Sequence, residues 1–76
     1  MIIFMKFTKF DRLKAEEIII TKGLRRKWIA DKIGTSDRTL SAWLKGRLNP
    51  KLASIIALAQ ILGVNLEELI IKDMDE

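Results

Sequence analysis

The 76-residue chain contains no cysteine and no histidine, and it has a single proline. Without cysteine no disulfide can staple the fold, and without either residue the ordinary zinc, iron–sulfur and haem ligand sets are missing. The same gaps remove a cysteine nucleophile, a histidine base and the triads built on them, so the expectation is no enzyme, no metal and no cofactor. No apolar run approaches the roughly 18 residues that span a bilayer, and no membrane partner is expected. The opening Met1-Ile2-Ile3-Phe4-Met5 lacks a basic leader and a small-residue cleavage site, which predicts no signal peptide and a cytoplasmic protein. A hydrophobic content of 49% is too high for a disordered chain. A chain this short folds as one domain, residues 1–76, buries only about 60% of its unfolded surface, and depends on packing for stability.

The net charge of +4 hides three zones of different sign. Residues 1–21 carry four basic and three acidic side chains. Residues 22–51 carry nine basic side chains against Asp31 and Asp37, whereas residues 52–76 carry Lys72 alone against five acidic ones. A basic middle third joined to an acidic end predicts one face that seeks a polyanion and another that avoids it. Charge by itself also suits anionic lipid or an acidic protein.

Gly23, Gly34, Gly46, Pro50 and Gly63 divide the sequence into helix-sized pieces. Thr8 with Asp11 resembles a capping box that opens a first helix ending at Lys22. A second helix, about Arg26 to Ile33, presents Ile29, Ala30 and Ile33 on one face and stops at Gly34. Ser36 is a good N-cap for a third, with Leu40, Trp43 and Leu44 inward and Gly46 at its end. Asn49 as cap and Pro50 at the first helical position open a fourth, whose Leu52, Ile55, Ile56, Ala59 and Leu62 share one face. Asn65 with Glu68 predicts a short fifth helix to about Lys72. Strand-like alternation is confined to Ile3–Phe10. The expectation is an all-α five-helix fold, with a short apolar N-terminal extension over residues 1–7.

Between Arg26 and Lys45 the spacing is more informative. Ala30 is small where a second helix can cross closely, and Gly34 permits a left-handed turn four residues later. Leu40 and Trp43 pack the following helix onto the first, leaving Asp37, Arg38, Ser41 and Ala42 outward. These features make residues 26–45 a helix-turn-helix whose second helix, 36–45, can enter a major groove.

On these residues the chain resembles the Cro/repressor-type (XRE-like) helix-turn-helix family of phage repressors and small bacterial regulators. The pattern survives in Gly23-Leu24, Ile29-Ala30, Ile33-Gly34, Ser36, Thr39-Leu40-Ser41, Trp43, Gly46, Asn49-Pro50, Leu58-Ala59 and Leu62-Gly63-Val64, spanning about residues 13–70. The resemblance implies a compact lambda-repressor-like five-helix domain, prokaryotic or phage-encoded and nucleoid-associated, that binds duplex DNA as a dimer. Several departures carry their own physics. Arg25-Arg26 replaces the family's Thr-Gln at the start of helix 2, trading a cap hydroxyl for charge. Lys45 replaces an Asn. Ile19 and Leu44 stand where many relatives pair an Arg with a Glu, and losing both charges can be neutral where losing one would cost about 3–5 kcal/mol.

Asp37, Arg38, Thr39, Ser41 and Ala42 are the candidate base-reading residues. Arg38 can reach guanine O6 and N7 bidentately, or else a phosphate. Asp37 serves the helix dipole or accepts from cytosine N4. Arg25, Arg26, Lys45, Arg47 and Lys51 are the candidate phosphate anchors. Helical phase assigns Trp43 to the core, whereas Trp28 falls off the inner face and needs a cover, which the N-terminal segment or a partner subunit could supply.

The functional expectation is a sequence-specific double-stranded DNA-binding transcriptional regulator that reads a palindromic operator as a homodimer. One short recognition helix touches few base pairs, so two should be held about 34 Å apart. Leu66, Leu69 and Ile70 can serve the core side of helix 5, leaving Ile71 and Met74 little to bury. Helix 5, with Leu66, Ile70, Ile71 and Met74, is the expected dimer interface, with residues 2–7 as a further contributor. The alternatives are an antitoxin or adaptor-type protein-interaction module and a non-specific nucleic-acid binder; selection from random duplexes discriminates among them.

Overall fold

The path of the chain follows from where its local signals start and stop helices. The fold, known from a computed structural model, is described over residues 8–72. Strand β1 (Thr8–Phe10) leads into helices α1 (Arg12–Lys22), α2 (Arg26–Ile33), α3 (Asp37–Leu44) and α4 (Leu52–Leu62). A 3₁₀ turn (Leu66–Leu69) and strand β2 (Ile70–Lys72) follow. The apolar extension, residues 1–7, and Met74 lie outside the described residues.

The helical class is as expected, but the described residues form four α-helices and not five. Beyond Gly63, Asn65 makes no side-chain cap bond and only one turn of 3₁₀ helix forms. Ile70 and Ile71 are β-branched, which favours extended backbone. β2 pairs antiparallel with β1, Phe10 opposite Ile70 and Lys9 opposite Ile71, so the expected fifth helix is replaced by half of a two-stranded ribbon. The start of α1 is corrected for the same reason. Thr8 belongs to the ribbon, and Asp11 is the N-cap whose carboxylate accepts from the Lys14 amide at 3.1 Å.

α4 also opens later than Asn49-Pro50 suggests. Lys51 is its N-cap, in extended conformation and without a side-chain cap bond. Lys51, with φ −72° and ψ +158°, keeps the backbone extended one residue past Pro50, so helical geometry begins only at Leu52. The buried face of α4 is Ile55, Leu58, Ala59 and Leu62, the expected i, i+3, i+4, i+7 spacing in a different phase. Leu52 and Ile56 are exposed. Nearly every α4 position is apolar, so composition could not fix that phase.

The core is apolar throughout the described residues, with no buried polar side chain. Ile29, Leu40, Leu44, Leu58, Leu62 and Leu69 are its largest fully buried members, each contributing about 1.5–3 kcal/mol relative to exposure. Ile19 and Leu44, both almost fully buried, join α1 to α3 through this core. Trp43 lies in it as well, at 6% exposure.

Candidate nucleic-acid interface

α2 and α3 are set by the turn between them. Gly34 takes a φ of +88°, which alanine would adopt only under strain, and the Gly34 and Thr35 amides both donate to the Ala30 carbonyl at 2.9 Å. Ile29 and Ala30 are both buried, so α2 meets its neighbours α3 and α4 through small and aliphatic side chains. Ser36 then caps α3. Its Oγ accepts from the Thr39 amide at 3.0 Å, while its hydroxyl donates to Thr39 Oγ1 at 2.9 Å.

With Leu40, Trp43 and Leu44 inward, helical phase puts Arg38, Ala42 and Lys45 in a row at i, i+4, i+7 on the opposite side. Asp37 and Arg38 are exposed, Thr39, Ser41 and Ala42 are half-buried on or beside this face, and Lys45 is the exposed C-cap. The five residues expected to face bases therefore lie on one eight-residue helix about 12 Å long, which a major groove about 12 Å wide can admit.

The expected phosphate anchors flank that helix. Arg25 is the exposed N-cap of α2 and makes no side-chain cap bond, as the exchange of Thr for Arg implies. Arg26, at the first position of α2, is half-buried and donates from Nη2 to Glu16 Oε2 of α1 at 2.9 Å. Its charge is thus shared with a carboxylate. Arg47 is exposed in the turn after α3, and Lys51 is the exposed N-cap of α4. No ion pair with another described residue engages Arg25, Arg38, Lys45, Arg47 or Lys51.

Two features were not visible in the sequence. Arg12, at the start of α1, donates from Nη1 to the Leu44 carbonyl at 3.2 Å, across 32 residues, so it meets the exit of α3. Glu16, one turn further along α1, meets the entrance of α2 through Arg26. Trp28 is 44% exposed on α2, with Lys32 Nζ 5.7 Å from its ring centroid. An ammonium one turn away thus covers part of the ring. Of the expected interface residues, Leu66 and Ile70 are half-buried against the protein's own core, while Ile71 is 47% exposed.

No described helix is long and apolar enough to cross a membrane. No curated protein matches the chain. Several solved structures share the fold, three of them as follows. A protein assigned as DNA-binding from Bacteroides fragilis superposes with a TM-score of 0.73 at 23% identity, over 86% of this chain and 100% of that one. The restriction-modification controller protein C.AhdI from Aeromonas hydrophila gives 0.70 at 24%, over 75% and 83%. The hypothetical transcription factor NHTF from Neisseria gives 0.72 at 24%, over 80% and 70%. At these identities the likeness establishes the fold. A helix-turn-helix family model matches residues 16–69, which include α2, the turn and α3, and the chain belongs to the XRE-type helix-turn-helix family of DNA-binding transcription regulators.

Proposed function

We propose that the protein is a sequence-specific, Cro/repressor-type regulator that reads the major groove of a palindromic operator with α3 as a homodimer. The observation that carries this reading is the row Arg38, Ala42 and Lys45 on the solvent side of α3, with Arg25, Arg26, Arg47 and Lys51 at its two ends. Arg38 stands at the second helical position, where its guanidinium can address guanine, and small Ala42 lets the helix approach a base edge or a thymine methyl. Ser41 and Thr39 supply hydroxyls on either side. The flanking cations meet phosphates and set the register. As a reader of DNA the protein works in the compartment that holds the DNA, the cytoplasm of a prokaryotic cell.

The dimer contact is the end of the molecule that carries β2. Ile71 is its exposed apolar residue, and Leu13, 64% exposed, lines the same shallow groove. The test is selection of binding sites from random duplexes, followed by Arg38→Ala and Arg26→Ala on the selected site. One enriched palindrome is expected, with a loss on Arg38→Ala of about 1–3 kcal/mol confined to one base pair per half-site, and a sequence-independent loss on Arg26→Ala. With about six to eight phosphates neutralised per dimer, log K should fall against log salt with a slope near −5 to −7. Flat enrichment would refute specificity, and absence of duplex binding would leave a protein-interaction module.

A further inference from the structure

We propose that Arg12 is a positioning residue for DNA binding: from the start of α1 it fixes the exit of α3, and with it the turn that bears Lys45, Arg47 and Lys51. The proposal rests on α3 as the recognition helix and deepens that reading. The last carbonyls of a helix have no partner within it. Here Ser41 O accepts from the Lys45 amide at 2.9 Å, Ala42 O from Arg47 at 2.9 Å, and Trp43 O from Gly46 at 3.1 Å. Leu44 O receives its bond from Arg12, on another helix.

The approach is built into the turn. Gly46 has a φ of +78°, and a Cβ there would lie 2.9 Å from Arg12 Nε and 3.2 Å from its Cδ. Glycine therefore leaves room for the arginine stem as well as permitting the left-handed backbone. A cation is also favoured beside the negative end of a helix. The remaining tie between α1 and α3 is the aliphatic core, including Ile19 and Leu44, which is non-directional. Arg12 supplies the directional tie, and its charge is turned to a helix end and not to a phosphate.

The probe is a labelled duplex carrying a site enriched from a random pool, titrated with wild type, Arg12→Ala, Arg12→Lys, Arg47→Ala and Arg38→Ala at several salt concentrations. Circular dichroism checks that each variant is folded. Arg12→Ala should weaken binding about three- to tenfold with an unchanged salt slope, because orientation and no phosphate contact is lost. Arg47→Ala removes one contact from each subunit and should lower the slope by about 2. Arg12→Lys should recover part of the loss, since an ammonium can still donate to Leu44 O. Without DNA, the amides of Lys45, Gly46 and Arg47 should exchange faster in Arg12→Ala. A slope reduced by about 2 in Arg12→Ala, one contact per subunit, would make Arg12 a phosphate ligand and overturn the proposal. Unchanged affinity, with or without faster exchange, would reduce the bond to a structural one. A loss on Arg38→Ala with none on Arg12→Ala overturns this proposal alone, whereas no loss on Arg38→Ala overturns the reading of α3 and this proposal together.

Discussion

Alanine at Gly34 and at Gly46 separates the cost of a left-handed backbone from the cost of displacing a neighbour. Both glycines lie in the left-handed region, at φ +88° and +78°. A Cβ at Gly34 meets nothing within 4 Å, while one at Gly46 falls 2.9 Å from Arg12 Nε. The left-handed conformation costs an L-residue about 1–2 kcal/mol. Alanine's stiffer unfolded chain offsets roughly 0.4–1 kcal/mol of that. Gly34→Ala should therefore destabilise by about 1 kcal/mol from strain alone. Gly46→Ala carries the same strain and also forces Arg12 to rotate, giving up its 3.2 Å bond to Leu44 O. A partly exposed hydrogen bond is worth about 0.5–1.5 kcal/mol, so Gly46→Ala should cost about 1.5–2.5 kcal/mol in all. The assay is urea unfolding followed by circular dichroism, with thermal midpoints as a second measure, where 1 kcal/mol moves a domain of this size by roughly 4–8 °C. The decisive step is the double-mutant cycle. In an Arg12→Ala background the excess cost of Gly46→Ala over Gly34→Ala should vanish, because the two residues are in contact and cannot act additively. Equal costs for the two glycine variants, or an excess that survives without Arg12, would refute the account of the α3 exit.

The parts of this molecule legible in sequence are those fixed by local chemistry. Gly23, Gly34 and Gly63 end their helices in left-handed turns and Ser36 caps α3, as expected, because each signal acts within a few residues. The inner face of α3 was legible because Leu40, Trp43 and Leu44 are its large apolar side chains, with one phase that gathers them. α4 was not, since a helix apolar on most sides leaves its phase to the neighbours. The ribbon was hidden for another reason: three-residue strands carry too little alternation, and the pairing of Phe10 with Ile70 joins the two ends of the described chain. Around α3 the sequence foretells the cations but not their restraints. Nothing local to Arg26 foretells Glu16 of α1 beside it, and nothing local to Arg12 foretells a bond across 32 residues.

Removing the carboxylate in Glu16→Gln should change stability by less than about 1 kcal/mol, since the pair is 39% and 35% exposed. It frees Arg26 to turn toward phosphate, so fluorescence anisotropy should show tighter binding to random duplex by about two- to fivefold; weaker binding would mean that Glu16 aims Arg26 and does not withhold it. The remaining expectation concerns the dimer. Ile71 sits in β2 opposite Lys9, outside the core, so Ile71→Asp should leave the unfolding midpoint close to wild type, within about 1 kcal/mol. A two-fold contact uses the same patch twice, so one substitution places two carboxylates in the interface and strips apolar area from both sides. Sedimentation should then shift from dimer toward monomer. Affinity for an operator with two half-sites should fall much further than affinity for a single half-site, because the second recognition helix is no longer delivered by the first. A wild-type protein that sediments as a monomer at high concentration and binds its operator one to one would overturn the dimer, and an unaltered Ile71→Asp dimer would move the contact away from β2.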